Sequence, residues 1–450
     1  MRSLPLTSAD NKAHISFALT SPYLRAALLL ATGGGFALAT VLTLTPLFDV
    51  SLGAWWVAMV QTHGHLQLYG WAGLFVEGVA LYFLPRLQGT PLAWARLLPW
   101  ILGAQVASLL LRFASQPLLA SNGGSLLAML LVLSGILEVL ALPAVLVLLI
   151  RTVTKRSAAK GKLEGMHSIA PFIFGAFGSL TLASILNLLN CIAALAQNGL
   201  VPSTGDEANI LLGLFGFLVP VALAMSSRML PLYAHVQPFS TRLLQALALT
   251  YFVGILCWLL GVLLPGALLL DVGLLLVGIV MLIFTGYFMR MLRNRTQVQG
   301  AQSESQRERA RQSRREEKRR YGPYVALIGC AYLWASFGAL LMIVDSIVAL
   351  ISGSLPISID VIRHSFAIGF ITLLICGISV RMIPGFSGRT IRAAGLVMAT
   401  LVLGNIAVVL RVGSLLLAPV LPGFDVLFAL SGPVGLALVA CLAVNLWPAL

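Results

Sequence analysis

Two of the six histidines in this chain stand at matching places in long apolar segments. His65 is followed by Gly70, Gly78 and Pro85, and His364 by Gly369, Gly377 and Pro384. The offsets are the same in both: five, then eight, then seven residues. A neutral imidazole offers one N–H and one lone pair, so it can ligate a metal while donating a hydrogen bond. Two imidazoles at equal depth on facing helices are what a bis-histidine haem iron needs. His63 lies two residues before His65, about 200° round a helix, so both cannot serve one iron. It can hold a second metal such as copper, donate to a haem propionate, or make a polar contact near the surface. Glu77 sits in the same apolar run, within about 40° of the His63 stripe and roughly 21 Å further along. A carboxylate there reads as a proton or polar relay, or as a protonated acid bonded to a neighbouring helix.

The segments that must position these groups are membrane helices. The chain is 59% hydrophobic and 10% charged, with a mean hydropathy of +0.96. Its apolar runs reach the length of about 20 residues that crosses a bilayer as helix. Hydrocarbon leaves no water for backbone groups, so such runs are helices or closed barrels. Runs apolar throughout, without alternation, exclude barrel strands. Twelve spans are read, at roughly 22–48, 57–85, 92–113, 123–150, 168–196, 209–231, 241–264, 267–291, 322–350, 362–384, 391–417 and 424–446. The expectation is an all-α polytopic protein, one transmembrane domain over residues 1–450. One Arg-rich insert at 292–321 has no apolar face and is expected as a disordered cytoplasmic loop.

Lys and Arg gather in the even-numbered loops: five from Arg151 to Lys162, Arg86 and Arg96 after span two, Arg389 and Arg392 after span ten. Asp49, Asp206, Glu207 and Asp360 lie in the odd ones. This predicts cytoplasmic even loops and cytoplasmic termini. The formal charge of +14 is then a topology signal with affinity for anionic lipid, and no nucleic-acid partner is expected. All five cysteines lie in apolar runs without a C-x-x-C and read as packing residues. The first twenty or so residues lack a short apolar core with a cleavage site, so no removable signal peptide is expected.

Span six keeps part of the pattern of spans two and ten. Gly216 and Pro231 are fifteen apart, and Ser226–Pro231 shares S-x-R-M-[IL]-P with Ser379–Pro384. Leu211 takes the histidine position. Matches four spans apart suggest three four-helix units around a pseudo-threefold axis. Equivalent faces would then direct His65 and His364 at that axis. Three arginines fall at the same outer depth: Arg112 and Arg411 near the ends of spans three and eleven, and Arg363 beside His364. Guanidinium groups pair with carboxylates, so these can hold haem propionates, or anchor to lipid phosphate. Arg228 and Arg381, at the opposite ends, are snorkelling anchors.

At these residues the chain resembles the NnrS family, multi-span bacterial membrane proteins that contain haem and copper and are linked to nitric oxide metabolism. The stretch "THGHLQLYG" resembles its H-x-H-x-x-x-x-G segment through His63, His65 and Gly70. "SSRMLPLY" resembles its G-R-x-I-P stretch through Arg228 and Pro231. His364, Gly369, Arg381, Gly388 and Arg389 match its H-x-x-T-x-G…R…G-H-T-G-R segment, and Arg411 its last arginine-bearing span. Phe386 replaces the histidine of that run and Ala367 a threonine, which removes one candidate copper ligand. The family is distantly similar to the haem–copper oxidase catalytic subunit, which implies one low-spin haem b between helices two and ten. Oxidase activity is not implied, since His14, His63, His167 and His235 cannot supply a further haem ligand and three copper ligands. The resemblance implies a bacterial inner-membrane protein whose partners are the bilayer and quinol, a cytochrome or nitric oxide. Enzymatic activity is left open. Two other readings stand beside it: an ion-coupled transporter using Glu77, Glu138 and Asp345, or a non-catalytic subunit of a respiratory assembly.

Overall fold

The computed structural model describes residues 16–48, 50, 52–154, 164–234, 239–264, 267–300, 304–353, 356–417 and 425–450. His14, His235, Asp49 and most of the basic loop after span four lie outside the described residues. Each expected span has its helix. Among the described residues, twelve helices are long and apolar enough to cross a membrane. They are α1 (Phe17–Phe48), α2 (Ala54–Leu87), α3 (Ala95–Asn122), α4 (Ser125–Thr154), α5 (His167–Gln197) and α6 (Ser203–Met229). The rest are α7 (Thr241–Leu263), α8 (Leu268–Arg290), α9 (Tyr324–Ser352), α10 (Ile359–Ser387), α11 (Ala394–Leu417) and α12 (Val426–Ala449). No strand occurs among the described residues. The chain is an all-α, multi-pass membrane protein.

Three helices form the centre. The most apolar windows of α2, α6 and α10 are 89%, 83% and 78% buried, against 33–50% for the other nine. Those nine form three arcs: α3–α4–α5, α7–α8–α9, and α11–α12 closing onto α1. Each arc follows one central helix along the chain. The four-span repeat read from the glycines and prolines therefore has a spatial counterpart.

The central helices share an irregularity. Each contains eight residues of π-helix: Leu66–Gly73 in α2, Leu211–Leu218 in α6 and Ser365–Thr372 in α10. The first and third begin immediately after His65 and His364. The wide turns meet at the centre. Trp71 Nε1 donates to Thr372 Oγ1 at 3.3 Å, Phe215 packs edge-on to Phe366 at 5.1 Å, and Tyr69 donates to Asn209 Oδ1 at 3.1 Å. Gly213 makes room for that last bond, because a Cβ there would stand 2.7 Å from the Tyr69 hydroxyl. At the other end α2 and α10 stop alike. Gly89 and Gly388, each four residues after the proline, turn left-handed at φ 64° and 71°, a conformation glycine adopts without a Cβ penalty.

The insert departs from expectation. Among the described residues it is helical: the helix of α8 continues to Gly300, and a separate helix covers Glu304–Tyr321. Its Arg, Glu, Lys and Gln are good helix formers despite the lack of an apolar face. The second helix is tied to the bundle, since Arg381 Nε donates to Glu317 at 2.9 Å and the guanidinium lies over the Tyr321 ring at 4.9 Å. Arg381 is thus a docking point as well as an interfacial anchor.

Gly213→Val should force Tyr69 from Asn209 and cost about 1–3 kcal/mol as overpacking. Thermal unfolding in detergent would register it as a lowered melting temperature. Gly103→Ala, where an added Cβ meets nothing within 4 Å, should show no loss.

Candidate functional site

His65 and His63 leave α2 on opposite sides, as their spacing requires, and each enters a different polar group. His65 faces α3 and α4. Its Nε2 donates to Glu138 Oε2 at 2.8 Å, and Arg112 Nη1 stands 3.2 Å from its Nδ1. A guanidinium only donates, so Nδ1 accepts and Nε2 carries the proton. Both ring nitrogens are engaged. Arg112 also donates from Nε to Gln116 Oε1 at 2.9 Å and from Nη1 to Asn187 Oδ1. Asn187 and Ser108 donate to Glu138 Oε2 at 3.1 and 3.4 Å. Gln116 passes the network to Gln61 at 2.8 Å, and Gln61 accepts from the Val201 amide at 3.0 Å. All these side chains are buried. The neutral imidazole bridges one cation and one carboxylate, so the group carries no net charge into the bundle.

His63 turns the other way. Its Nδ1 lies 2.8 Å from the Gly35 carbonyl of α1. His364 Nδ1 lies 2.7 Å from the Asp360 carbonyl. A carbonyl only accepts, so each Nδ1 bears the proton and each Nε2 bears the lone pair. Neither Nε2 has a hydrogen-bond partner among the described residues. Glycines place the first carbonyl: Gly35 ends a π turn over Ala31–Gly35, and a Cβ on it would stand 2.9 Å from the Gln67 side chain. His63, His364, Asp360 and Arg411 lie within electrostatic reach of one another. The Arg411 guanidinium sits over the Phe428 ring at 4.4 Å. Its Nε is buried without a partner.

The structure therefore sorts the expected residues into two sets. His65 and Arg112 stand together, away from His364. His63, His364 and Arg411 lie within electrostatic reach of one another and of Asp360. Arg363 borders this second set: it pairs with Asp360 at 3.4 Å and lines a cavity of about 260 Å³ with Glu207, Asp345 and Trp258. Glu77 lies on the His65 side, where it accepts from Gln105 of α3 at 3.0 Å, and not on the His63 stripe. The π turn between them explains the difference. At roughly 80° per residue instead of 100°, eight such residues retard the phase by on the order of 150°.

His65 does not face His364, because its two ring nitrogens are held by Glu138 and Arg112 on the α3–α4 side. The repeat places the arginines equivalently. Arg112 follows His65 by 47 residues, and Arg411 follows His364 by 47. The third copy reads Leu211 and Trp258, at the same offset, and both line the cavity beside Arg363. His63 has no such counterpart and reaches back toward the α10–α11 pair. Asn187, Gln116 and Gln61 were not foreseen in the site, and Glu138 was expected only as a coupling carboxylate of a transporter. The shared offset of 47 would have tied His65 to Arg112. Nothing comparable marks Asn187, whose place depends on how α5 packs.

Residues 312–450, from the end of the insert through α12, match the model of the family described as NnrS protein. The chain is similar to NnrS proteins over this C-terminal third. The matched part contains His364, Arg363 and Arg411 but not α2 or α3. No curated protein matches the chain. Phe386, which stands where the NnrS pattern has histidine, packs between Phe17 and Tyr82 at ring distances of 5.9 and 4.3 Å, so aromatic packing occupies that position. Among the described residues no three His, Cys, Asp or Glu side chains converge as metal ligands.

Removing His65 leaves buried charges without their bridge, so His65→Ala should cost about 3–5 kcal/mol of stability. His63→Ala removes one bond to a carbonyl and should cost about 1 kcal/mol. Unfolding in detergent by heat should rank the two variants in that order.

Proposed function

We propose that this chain, like the NnrS proteins it resembles, binds haem, and that His63 of α2 and His364 of α10 would hold the iron of one low-spin b-type group. One observation carries the reading: both histidines have Nδ1 tied to a backbone carbonyl and Nε2 lone pairs free, near the same arginine. A ligating histidine has its other nitrogen bonded in this way, which fixes tautomer and ring orientation. The donor set fits the group, since a bis-histidine iron takes two neutral imidazoles. Arg411, with an unpartnered buried Nε, suits a propionate, to which guanidinium donates in bidentate fashion. Haem would supply one-electron transfer. The chain itself orients the two imidazoles through their Nδ1 bonds and would offset the propionates with Arg411.

His65 is not assigned to the iron, because ligation would take it from Glu138 or Arg112. Arg112 belongs to that same network and Arg363 to Asp360, so neither is assigned to the propionates. Copper has no three-residue ligand set among the described residues. Loop charges favour cytoplasmic termini and the histidine-bearing end outward, and the NnrS likeness implies a bacterial inner membrane. The NnrS likeness implies a link to nitric oxide metabolism or membrane electron transfer, with quinol or a cytochrome as electron partner. Three arcs about three central helices differ from the paired inverted halves of many transporters, so the fold lends the transporter reading no support.

A pyridine haemochrome assay on purified protein should detect haem b. His63→Ala and His364→Ala should each abolish the low-spin spectrum, whereas folded His65→Ala should keep it. Loss in His65→Ala alone, with His63→Ala unchanged, would return the ligand role to His65. Arg411→Leu should lower haem occupancy or shift the midpoint potential by tens of millivolts, equivalent to roughly 1 kcal/mol of lost charge stabilisation. Wild-type occupancy and potential in that variant would leave Arg411 a lipid anchor.

A further inference from the structure

The middle of the α3 face turned to α2 and α4 is polar. Gln105, Ser108, Arg112, Ser115 and Gln116 are all buried on it, at the spacing of one helical face. From Gln105 to Gln116 the polar stretch covers about 17 Å, a little over half of the roughly 30 Å of bilayer hydrocarbon, and Leu98 and Ile101 continue the buried face beyond it. Glu77 of α2 and Glu138 of α4 point into it. Three buried oxygens along the line have no partner: Glu138 Oε1, Gln105 Oε1 and Glu77 Oε2. Each such group costs about 1–3 kcal/mol unless a proton or a water satisfies it. Structure alone does not require this, because the positions equivalent to Glu77 in the other two repeats are Leu223 and Cys376, both fully buried.

We propose that this line is a proton pathway across the bundle, with Glu138 and Glu77 as its two carriers. At the histidine-bearing end, Gln61 and Gln116 link the backbone of Val201 to Arg112. His65 and Ser108 then donate to Glu138. One turn further along α3, Gln105 donates to Glu77 at 3.0 Å. The two carboxylates lie within electrostatic reach of each other, so a proton on either removes their repulsion. Tyr23 of α1 lies within electrostatic reach of Glu77 and donates to the Leu98 carbonyl at 3.0 Å. Leu97 and Arg96, the next residues, are exposed, and the line opens there at the other surface. A proton bound by Glu138 neutralises it. Transfer to Glu77 restores the Glu138 anion, and release of the proton from Glu77 to solvent at the Arg96 end restores the Glu77 anion. No electron moves in these steps, and the pathway does not depend on the haem reading.

The test uses the purified full chain in liposomes with a trapped pH dye, under a potassium diffusion potential set by valinomycin. Proton uptake should exceed that of protein-free liposomes, whatever the haem content. Glu77→Gln and Glu138→Gln should slow it by about tenfold or more, as expected when a positioned proton carrier is lost. Glu77→Asp, which keeps a carboxyl, should retain most of it. Size-exclusion chromatography shows which variants are folded. Wild-type uptake no faster than in protein-free liposomes overturns the proposal, as does full uptake by folded Glu77→Gln.

Discussion

Hydrocarbon offers no water, so each polar group taken into this bundle must find its partner within the protein. That constraint organises the molecule. The backbone meets it by forming helices. The side chains of α2 to α5 meet it with a closed network in which Arg112 and Glu138 are bridged by His65 and completed by Asn187, Gln116 and Gln61. The cost of opening such a network explains why the most buried histidine is a poor candidate ligand. A metal would compete with a carboxylate and a guanidinium for the same two nitrogens.

The second organising fact is repetition with divergence. Three units share a central helix, a π turn and a residue pair at one offset, yet the pair is His65 and Arg112, Leu211 and Trp258, or His364 and Arg411. One copy is sealed by a buried acid, one is an apolar wall with a cavity, and one has a free imidazole edge. The added histidine, His63, enters the third copy from the neighbouring unit. Its Nδ1 is held by Gly35 O at 2.8 Å, a contact that the glycine run of α1 permits by letting that helix lie against Gln67 and Leu66.

The π turns set the phase of everything beyond them. They are rare and concentrate at functional sites. Here they lie where the three central helices meet, and they rotate the lower part of α2 so that Glu77 faces Gln105 rather than continuing the His63 stripe. The same turn thus separates one residue from the histidine pair and hands it to the polar face of α3.

Much of this was legible in the sequence. Twelve apolar runs dictated twelve helices, because length and hydropathy suffice where the solvent is hydrocarbon. The matching glycines and prolines disclosed the threefold repeat, since close approach and helix ends need those residue types. The candidate residues were also visible, because ionisable groups are rare in such segments. Their grouping was not. What stands opposite His63 and His65 was set by how α1, α3 and α4 pack against α2, and where Glu77 points by a π turn that no residue type announces. The helix at Glu304–Tyr321 lacks an apolar face and gains its fixed place from Glu317 meeting Arg381. Spacing along the chain fixes relative angles on one helix; only the packing of twelve decides what stands opposite.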